Sequence, residues 1–322
     1  MKYIFLFIIL FANICGANDQ IRIIGSSTIY PFITTIVEKF GKSTDFKTPI
    51  VESTGTGGGI NLFCTAKTHT KASIVMASRK MLLREINLCN KHDIKNITEI
   101  KLGYDGIILA SSKKFAKYNL TSLQLYLALA EKLMINNIVI DNPYKKWSDI
   151  DPALPDKVIE IYGPSINSGT RSDFEEVIMH KPCNQNNYRF SGCKKIRSDK
   201  HFIEMGDNDN LLIQKLALNN HALGIFGYNF LIQNSDIIHA ASLDNIVPNP
   251  ITIKTNQYNL SRALYIYIND DLVKDSPSLK AFLKFLNSKK VIASGGYLSK
   301  LGLISLNNHE INENIKLLAK FY

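Results

Sequence analysis

Acidic residues are in deficit in this chain: 28 Asp and Glu stand against 38 Lys and Arg, a formal net charge of +10 over 322 residues. A basic balance favours anionic partners, but no Lys/Arg run interleaved with aromatics is present, so no nucleic-acid partner is expected. There is no internal repeat and no low-complexity tract, which excludes a solenoid and a disordered chain. No apolar run approaches the ~20 residues of a membrane-spanning helix, which excludes a polytopic membrane protein. Catalytic signatures are missing as well: no HExxH pair, no GxSxG nucleophile elbow and no separable acid and base, which counts against an enzyme. What is there is apolar surface, 45% hydrophobic and 10% aromatic residues. That is ample for a core, and the length exceeds what one core organises, so two lobes are expected.

The N-terminus is the longest apolar stretch. MKYIFLFIILFANICGAND places Lys2 before an apolar segment from Tyr3 to Ala12 and ends in the small residues Gly16 and Ala17. This is a secretory signal pattern, too short to span a membrane, so residues 1–17 are expected to be removed and the mature chain to start at Asn18. Lipid attachment at Cys15 is disfavoured because Ile14 stands where such signals carry a small residue. Four cysteines remain, Cys64, Cys89, Cys183 and Cys193, in a chain sent to an oxidising compartment, so disulfides are expected. Three connectivities are open, and joining Cys64 to Cys89 and Cys183 to Cys193 closes the shortest loops. A zinc site would want CxxC-type spacing, which is missing, and no metal is expected.

Apolar runs of strand length alternate with helical periodicity, the α/β pattern. Ile21 to Ile24 leads into Gly25-Ser26-Ser27-Thr28 and a helix with Pro31 in its first turn. A strand from Pro49 to Glu52 precedes a glycine loop, Ser53 to Gly59, and a helix from Ile60 to Ala66. Ser73 to Ala77 feeds Ser78-Arg79 and a helix to about Leu88. Gly106 to Ala110 and Val158 to Tyr162 are further strands; the second leads to Asn167-Ser168-Gly169-Thr170 and a helix from Arg171 to about Met179, capped through Thr170 with Asp173 or Ser172 with Glu175. Ser111 to Asp156 reads as two helices and connections, and Leu264 to Ile268 as a late strand.

Small hydroxyl and glycine residues therefore recur at strand-to-helix junctions: GSST at 25–28, STGTGGG at 53–59, SR at 78–79 and NSGT at 167–170. Helix N-termini offer unpaired N–H groups and partial positive charge, small residues let an anion approach, and Ser and Thr hydroxyls add donors. One junction alone is an ordinary cap; four of them point to a tetrahedral oxyanion. Nucleotide readings fail. Gly41-Lys42-Ser43-Thr44 lacks the leading glycine of a Walker A motif because Ile36 occupies that place, and Ile60 replaces the third glycine of a dinucleotide loop. No cofactor is expected. The seven histidines are scattered, and Asp207 to Asn210 reads as a turn and helix cap rather than a calcium loop.

The order GSSTIYPF (25–32), ESTGTGGGI (52–60), ASRKM (77–81), GYDGIILA (103–110), YGPSINSGTRSDFEE (162–176) and ALGIFGYNFL (222–231) resembles the periplasmic phosphate-binding protein of bacterial ABC phosphate importers, over nearly the whole mature chain. The resemblance implies a class II periplasmic binding fold, with one lobe of residues 18–104 plus 260–322 and another of 105–259, joined by crossing strands and closing on phosphate. It implies donation from Ser27, Thr28 and Thr56 on one side and from Ser168, Gly169 and Thr170 on the other, with Ser78 beside Arg79. It implies a monomer that hands inorganic phosphate to a membrane permease and performs no chemistry.

Two positions depart from the better-known branch of that family: Arg79 stands where it has aspartate, and Pro164 where it has arginine. Arg79 is accordingly expected to supply a cation, with Arg171 as a second candidate whose alternative is a solvated first-turn residue. Asp105 is the candidate acceptor for a phosphate proton, its alternative being an exposed turn residue or a hinge cap. The competing readings are a binding protein for sulfate, molybdate or tungstate, a secreted phosphate-ester hydrolase, and an adhesin that retains the fold.

Overall fold

Three short strands open the chain in parallel. β1 (Arg22–Gly25) leads through helix α1 (Tyr30–Ser43) to β2 (Ile50–Ser53), and helix α2 (Thr56–Thr65) leads to β3 (Ile74–Ala77), so that β1 lies between the other two. The computed structural model describes residues 20–66, 72–166, 168–184, 189–206 and 209–322. The signal segment, Asn167 and the Asp207-Asn208 turn lie outside the described residues. In α1 the buried residues Phe32, Ile33, Ile36, Val37 and Phe40 recur at helical spacing and form one apolar stripe against the sheet.

Helix α3 (Leu83–Lys91) leads to β4 (Ile97–Ser112), whose 16 residues are the backbone of the architecture. The second half of the chain supplies β5 (Asn119–Leu120), helix α4 (Ser122–Leu129), the hairpin β6 (Lys132–Ile135) and β7 (Ile138–Asp141), helix α5 (Trp147–Ile150) and β8 (Ile161–Gly163). Helix α6 (Gly169–Glu175) follows and continues through a π-helical turn, Glu176–His180, into Lys181–Cys183. Then come β9 (Phe202–Glu204), β10 (Leu223–Gly227), β11 (Ile238–Ala240), β12 (Ser242–Leu243) and β13 (Ser261–Asn269), after which the chain is helical.

The strand order is β2-β1-β3-β13-β4-β10-β8-β9, with β11 also on β4. β4 joins the two α/β lobes: Ile97 to Gly106 pair antiparallel with β13, Ile107 to Ala110 with β10, and Ala110 to Ser112 with β11. β13 crosses beside it. Burial along β4 alternates from Ile97 to Leu102 and becomes continuous from Asp105. A one-sided strand thus turns into a two-sided one at the crossing, which is why the continuous apolar run from Gly106 marked only its second half. Two cores flank the crossing. One gathers Ile23, Phe32, Phe40, Ile100, Ile266 and Phe282; the other gathers Ile107, Leu129, Trp147, Phe174, Leu216 and Tyr258.

Several expected boundaries shift for local reasons. α2 begins at Thr56, four residues before the expected Ile60, so Gly57, Gly58 and Gly59 form its first turn rather than a loop. Gly59 is small because a Cβ there would lie 2.5 Å from Gly25 Cα, where α2 crosses β1. α3 begins at Leu83, with the Glu85 carboxylate accepting the Leu82 N–H at 2.8 Å, so Ser78-Arg79 is not a helix start. α6 is capped by Ser168, whose Oγ accepts the Thr170 N–H at 3.2 Å. The β6–β7 hairpin falls where helices and connections were expected. β7 is exposed along its length and lacks apolar alternation, and its turn is carried by Asn136 and Asn137 at φ 51° and 62°. Disulfides join Cys64 to Cys89 and Cys183 to Cys193, the neighbour pairing.

The Gly25–Gly59 contact makes a direct test. Overpacking of this kind costs about 1–3 kcal/mol, so Gly59→Ala is expected to lower the thermal midpoint by several degrees. Gly57→Ala, where a Cβ meets nothing within 4 Å, should leave the midpoint unchanged or raise it. Thermal denaturation followed by circular dichroism distinguishes the two, and equal midpoints would remove the close approach as the reason for Gly59.

Candidate functional site

The C-terminal ends of β1, β2, β8 and β10 meet at one cleft of about 320 Å³, lined by Ser27 and Thr28 after β1, Ser53 at the end of β2, Pro164 after β8 and Gly227 at the end of β10. Such strand ends are the usual place for ligands in open α/β sheets. The crossing strands form the floor, with Asp105 from β4 and Arg262 from β13.

One wall is the turn from β1 into α1. The Ser26 carbonyl accepts the N–H groups of Ile29 and Tyr30 at 3.2 and 3.1 Å, which starts the helix. The other wall is the start of α6, where Ser168 and Thr170 line the cleft. The two walls touch: the Gly169 N–H donates to Ser27 Oγ at 3.0 Å. A Cβ built on Gly169 would lie 3.0 Å from Ser27 Oγ, 3.5 Å from Thr28 Oγ1 and 4.0 Å from Ser26 Oγ, so three hydroxyls converge on one point of the opposite lobe. Ser26 Oγ and Thr28 Oγ1 are buried without a hydrogen-bond partner among the described residues, and Ser261 Oγ at the head of β13 is in the same condition. A buried polar group left unpaired costs about 1–3 kcal/mol. A ligand rich in acceptor atoms would recover that cost.

The floor is a buried ion triad. Arg262 donates through Nε and Nη2 to Asp105 Oδ2 at 3.0 and 2.7 Å, and through Nη1 to Asp173 Oδ2 at 2.6 Å. Nη2 also reaches Thr170 Oγ1 at 3.4 Å. Burial opposes the guanidinium charge, but Asp105 and Asp173 outweigh it and hold the Arg262 pKa above its ordinary value. The cation is therefore permanent. Both Arg262 bonds to Asp105 fall on Oδ2, which leaves Oδ1 for a further donor. With one arginine against two carboxylates, the floor has no surplus of positive charge.

The residues expected from sequence divide into those at the cleft and those beside it. Ser27, Thr28, Asp105, Ser168 and Thr170 line it, and Gly169 is in contact across it. Thr56 and Ser78 are brought together, the Ser78 N–H donating to Thr56 Oγ1 at 3.1 Å with the two hydroxyl oxygens 3.1 Å apart, but neither is among the lining residues. Arg79 lies beside the cleft, its guanidinium held by Glu85 in two bonds of 2.8 Å. Glu85 is the main cause of its raised pKa, and Asp173 of the opposite lobe contributes. Arg171 is buried within its own lobe, bound to Glu175 at 2.5 Å, to the Pro164 carbonyl and Glu204 at 3.2 Å, and set over the Phe202 ring. The reading from sequence missed Arg262, Ser53 and Asn229, which all line the cleft. Among the described residues no group of His, Cys, Asp and Glu could hold a metal ion, and no helix is long and apolar enough to cross a membrane.

Known proteins share this architecture. The PBP superfamily domain matches residues 16–290. Protein SphX of Synechocystis is 29% identical over 307 residues, covering 91% of this chain and 84% of that protein. The phosphate-binding protein PstS of Staphylococcus epidermidis is 30% identical over 292 residues, covering 84% of this chain and 79% of that one. The crystal structure of a possible phosphate binding protein from Planctomyces limnophilus superposes with a TM-score of 0.71 at 26% identity, covering 94% of this chain and 98% of the other. The chain therefore belongs to the PBP superfamily and, within it, to the phosphate-binding protein family.

Proposed function

We propose that the protein captures inorganic phosphate in the periplasm and delivers it to the membrane permease of an ABC importer, without chemistry of its own. The observation that carries this reading is the convergence of the Ser26, Ser27 and Thr28 hydroxyls on Gly169 of the facing lobe, two of them buried without a partner among the described residues. A tetrahedral anion there would accept from both walls at once, and only with the lobes together, so binding would favour the closed state. The name of the Staphylococcus epidermidis relative, phosphate-binding protein PstS, supports phosphate as the ligand. The reading includes a secreted monomer freed of residues 1–17, with no nucleic-acid partner. It places lobe boundaries near 104/105 and 259/260; the core of Ile107 and Trp147 lies mostly on one side of them and the core of Ile23 and Phe282 on the other, with Leu260 and Ile304 reaching across into the first.

In this reading phosphate is held by the hydroxyls of Ser26, Ser27, Thr28, Ser168 and Thr170 and the N–H of Gly169, over a floor of Arg262 and Asp105. Thr56, Ser78 and Arg79 form the adjoining rim, and Arg171 braces α6. Asp105 Oδ1 accepts the phosphate proton. Sulfate near neutral pH has no proton to give and sets its lone pairs against that oxygen, a mismatch that can discriminate by orders of magnitude.

Calorimetric titration of the dialysed protein with phosphate, arsenate, sulfate and molybdate tests the function. Tight binding of phosphate and arsenate with sulfate far weaker is the expected result; preference for sulfate or molybdate would reassign the ligand. Two variants test the site. Asp105→Asn should lose about 10- to 100-fold in phosphate affinity, the worth of a hydrogen bond to a charged group, and gain relative tolerance of sulfate. Gly169→Ala should push on Ser27 Oγ and weaken every oxyanion about 10-fold with the selectivity ratio unchanged. An unaltered phosphate-to-sulfate ratio in Asp105→Asn would remove Asp105 as the proton acceptor. Intact mass of exported protein is expected to begin at Asn18; a mass that retains residues 1–17 would contradict cleavage.

A further inference from the structure

Successive side chains on a strand point to opposite faces, so Asp105, which faces the cleft, places its neighbour Tyr104 behind the crossing strands. There Tyr104 is clamped by the C-terminal segment: its backbone N–H and C=O pair with Ile304 at 2.9 and 3.0 Å, and its hydroxyl donates to Glu310 Oε1. Lys101 Nζ donates to the same Glu310 oxygen at 2.9 Å. The Glu310 carboxyl is pulled down to about 2; burial works against this, and bonds from Tyr104, the Asn307 N–H and Lys101 outweigh it. All of these groups come from β4 and the C-terminal segment. One member of the cluster does not. Lys254, at the end of the helix Pro250–Lys254, donates to the Ser305 carbonyl at 3.0 Å, stands 3.7 Å from Glu310 Oε2 and sits 5.7 Å from the Tyr104 ring centroid.

That helix moves with the lobe opposite to Glu310. Ile253 belongs to the core that holds Ile107 and Tyr258, and Ile304 reaches into that same core, whereas Leu303, Leu306 and Ile311, which flank Ser305 and Glu310, belong to the core of β1 and α1. A groove of about 590 Å³ separates the lobes on this side, with Ile251 and Lys254 on one wall and Leu303 and Ser305 on the other. A rotation that parts Ser27 from Gly169 in front drives these walls together behind. The 3.0 Å bond from Lys254 to Ser305 fits the arrangement in which the front walls touch, and it cannot keep its geometry through that rotation.

We propose that Lys254 is an interlobe strut, which sets the balance between open and closed lobes and thereby the affinity for the anion without touching it. It is a positioning residue. The affinity part of the argument rests on the phosphate reading above; the conformational part does not.

The test compares Lys254→Met and Lys254→Arg with the parent, which is safer than altering Glu310, whose carboxylate also holds Lys101, Tyr104 and the Asn307 N–H. In small-angle X-ray scattering without ligand, Lys254→Met is expected to show a larger radius of gyration than the parent. Stopped-flow and calorimetric titration with inorganic phosphate should show affinity about 3- to 30-fold weaker, below the full value of a charged hydrogen bond because the ammonium is partly solvated, and expressed mainly as faster dissociation. Lys254→Arg should restore both values, and the phosphate-to-sulfate ratio should match the parent in every variant. A parent-like radius together with parent-like affinity in Lys254→Met overturns the proposal, and so does a changed phosphate-to-sulfate ratio. If the parent binds no phosphate yet Lys254→Met still enlarges the ligand-free radius, the strut stands and the phosphate reading falls.

Discussion

Arg262 is the charge around which this molecule is arranged. A guanidinium removed from water is tolerable only where carboxylates meet it with good geometry, and removing one partner of such a buried pair typically costs about 3–5 kcal/mol. Here the partners come from three separate pieces of chain: Arg262 from β13, Asp105 directly opposite it on β4, and Asp173 from the second turn of α6. The register that sets Arg262 against Asp105 also carries both strands from one lobe into the other. Asp173 ties the helix that forms the second wall to that floor. The ion triad thus joins the sheet crossing and the position of α6 in a single network.

The walls around the floor are built from the smallest residues because close approach is the requirement. Gly25 and Gly59 let α2 lie against β1, and Gly169 lets the start of α6 reach Ser27. Hydroxyl donors follow from the same constraint. A lysine or a second arginine would add charge but would hold the lobes apart, whereas serine and threonine supply donors within about the thickness of the backbone. With two carboxylates against one guanidinium the floor carries no surplus positive charge, and in the proposed function selectivity among anions rests on hydrogen-bond matching.

The walls were legible in the sequence because each is a contiguous motif: GSST after a strand, SGT before a helix. Of the three disulfide connectivities that the sequence leaves open, the one with the shortest loops is formed; the α/β class was legible in alternating strand and helix periodicity, and the two-lobe arrangement in the chain length and the family resemblance. The floor was only half legible. Asp105 was found beside the apolar run it precedes, but Arg262 stands alone in NLSRALYIYI, and its meaning depends on a partner 157 residues away in sequence. The signal that could have found it is a single charge at the head of an otherwise apolar strand, matching a single acid at the centre of another. Arg79 and Arg171, adjacent to recognisable motifs, drew attention instead; the structure gives each a local carboxylate, Glu85 and Glu175. The β6–β7 hairpin was unreadable for the opposite reason, since β7 is exposed along its length and carries no buried face to pattern.

The proposed function requires one oxyanion between the β1–α1 turn and the start of α6, over Arg262 and Asp105. A crystal structure of the mature protein grown with phosphate is the decisive measurement. It is expected to show a phosphorus atom enclosed by the lobes, with oxygens within hydrogen-bond distance of Ser26 or Thr28 Oγ atoms on one side and of the Gly169 N–H or Thr170 Oγ1 on the other, and with Arg262 still bound to Asp105. Phosphate bound at Arg79 or Arg171 outside the cleft, or a cleft from which Arg262 has turned away, would contradict it.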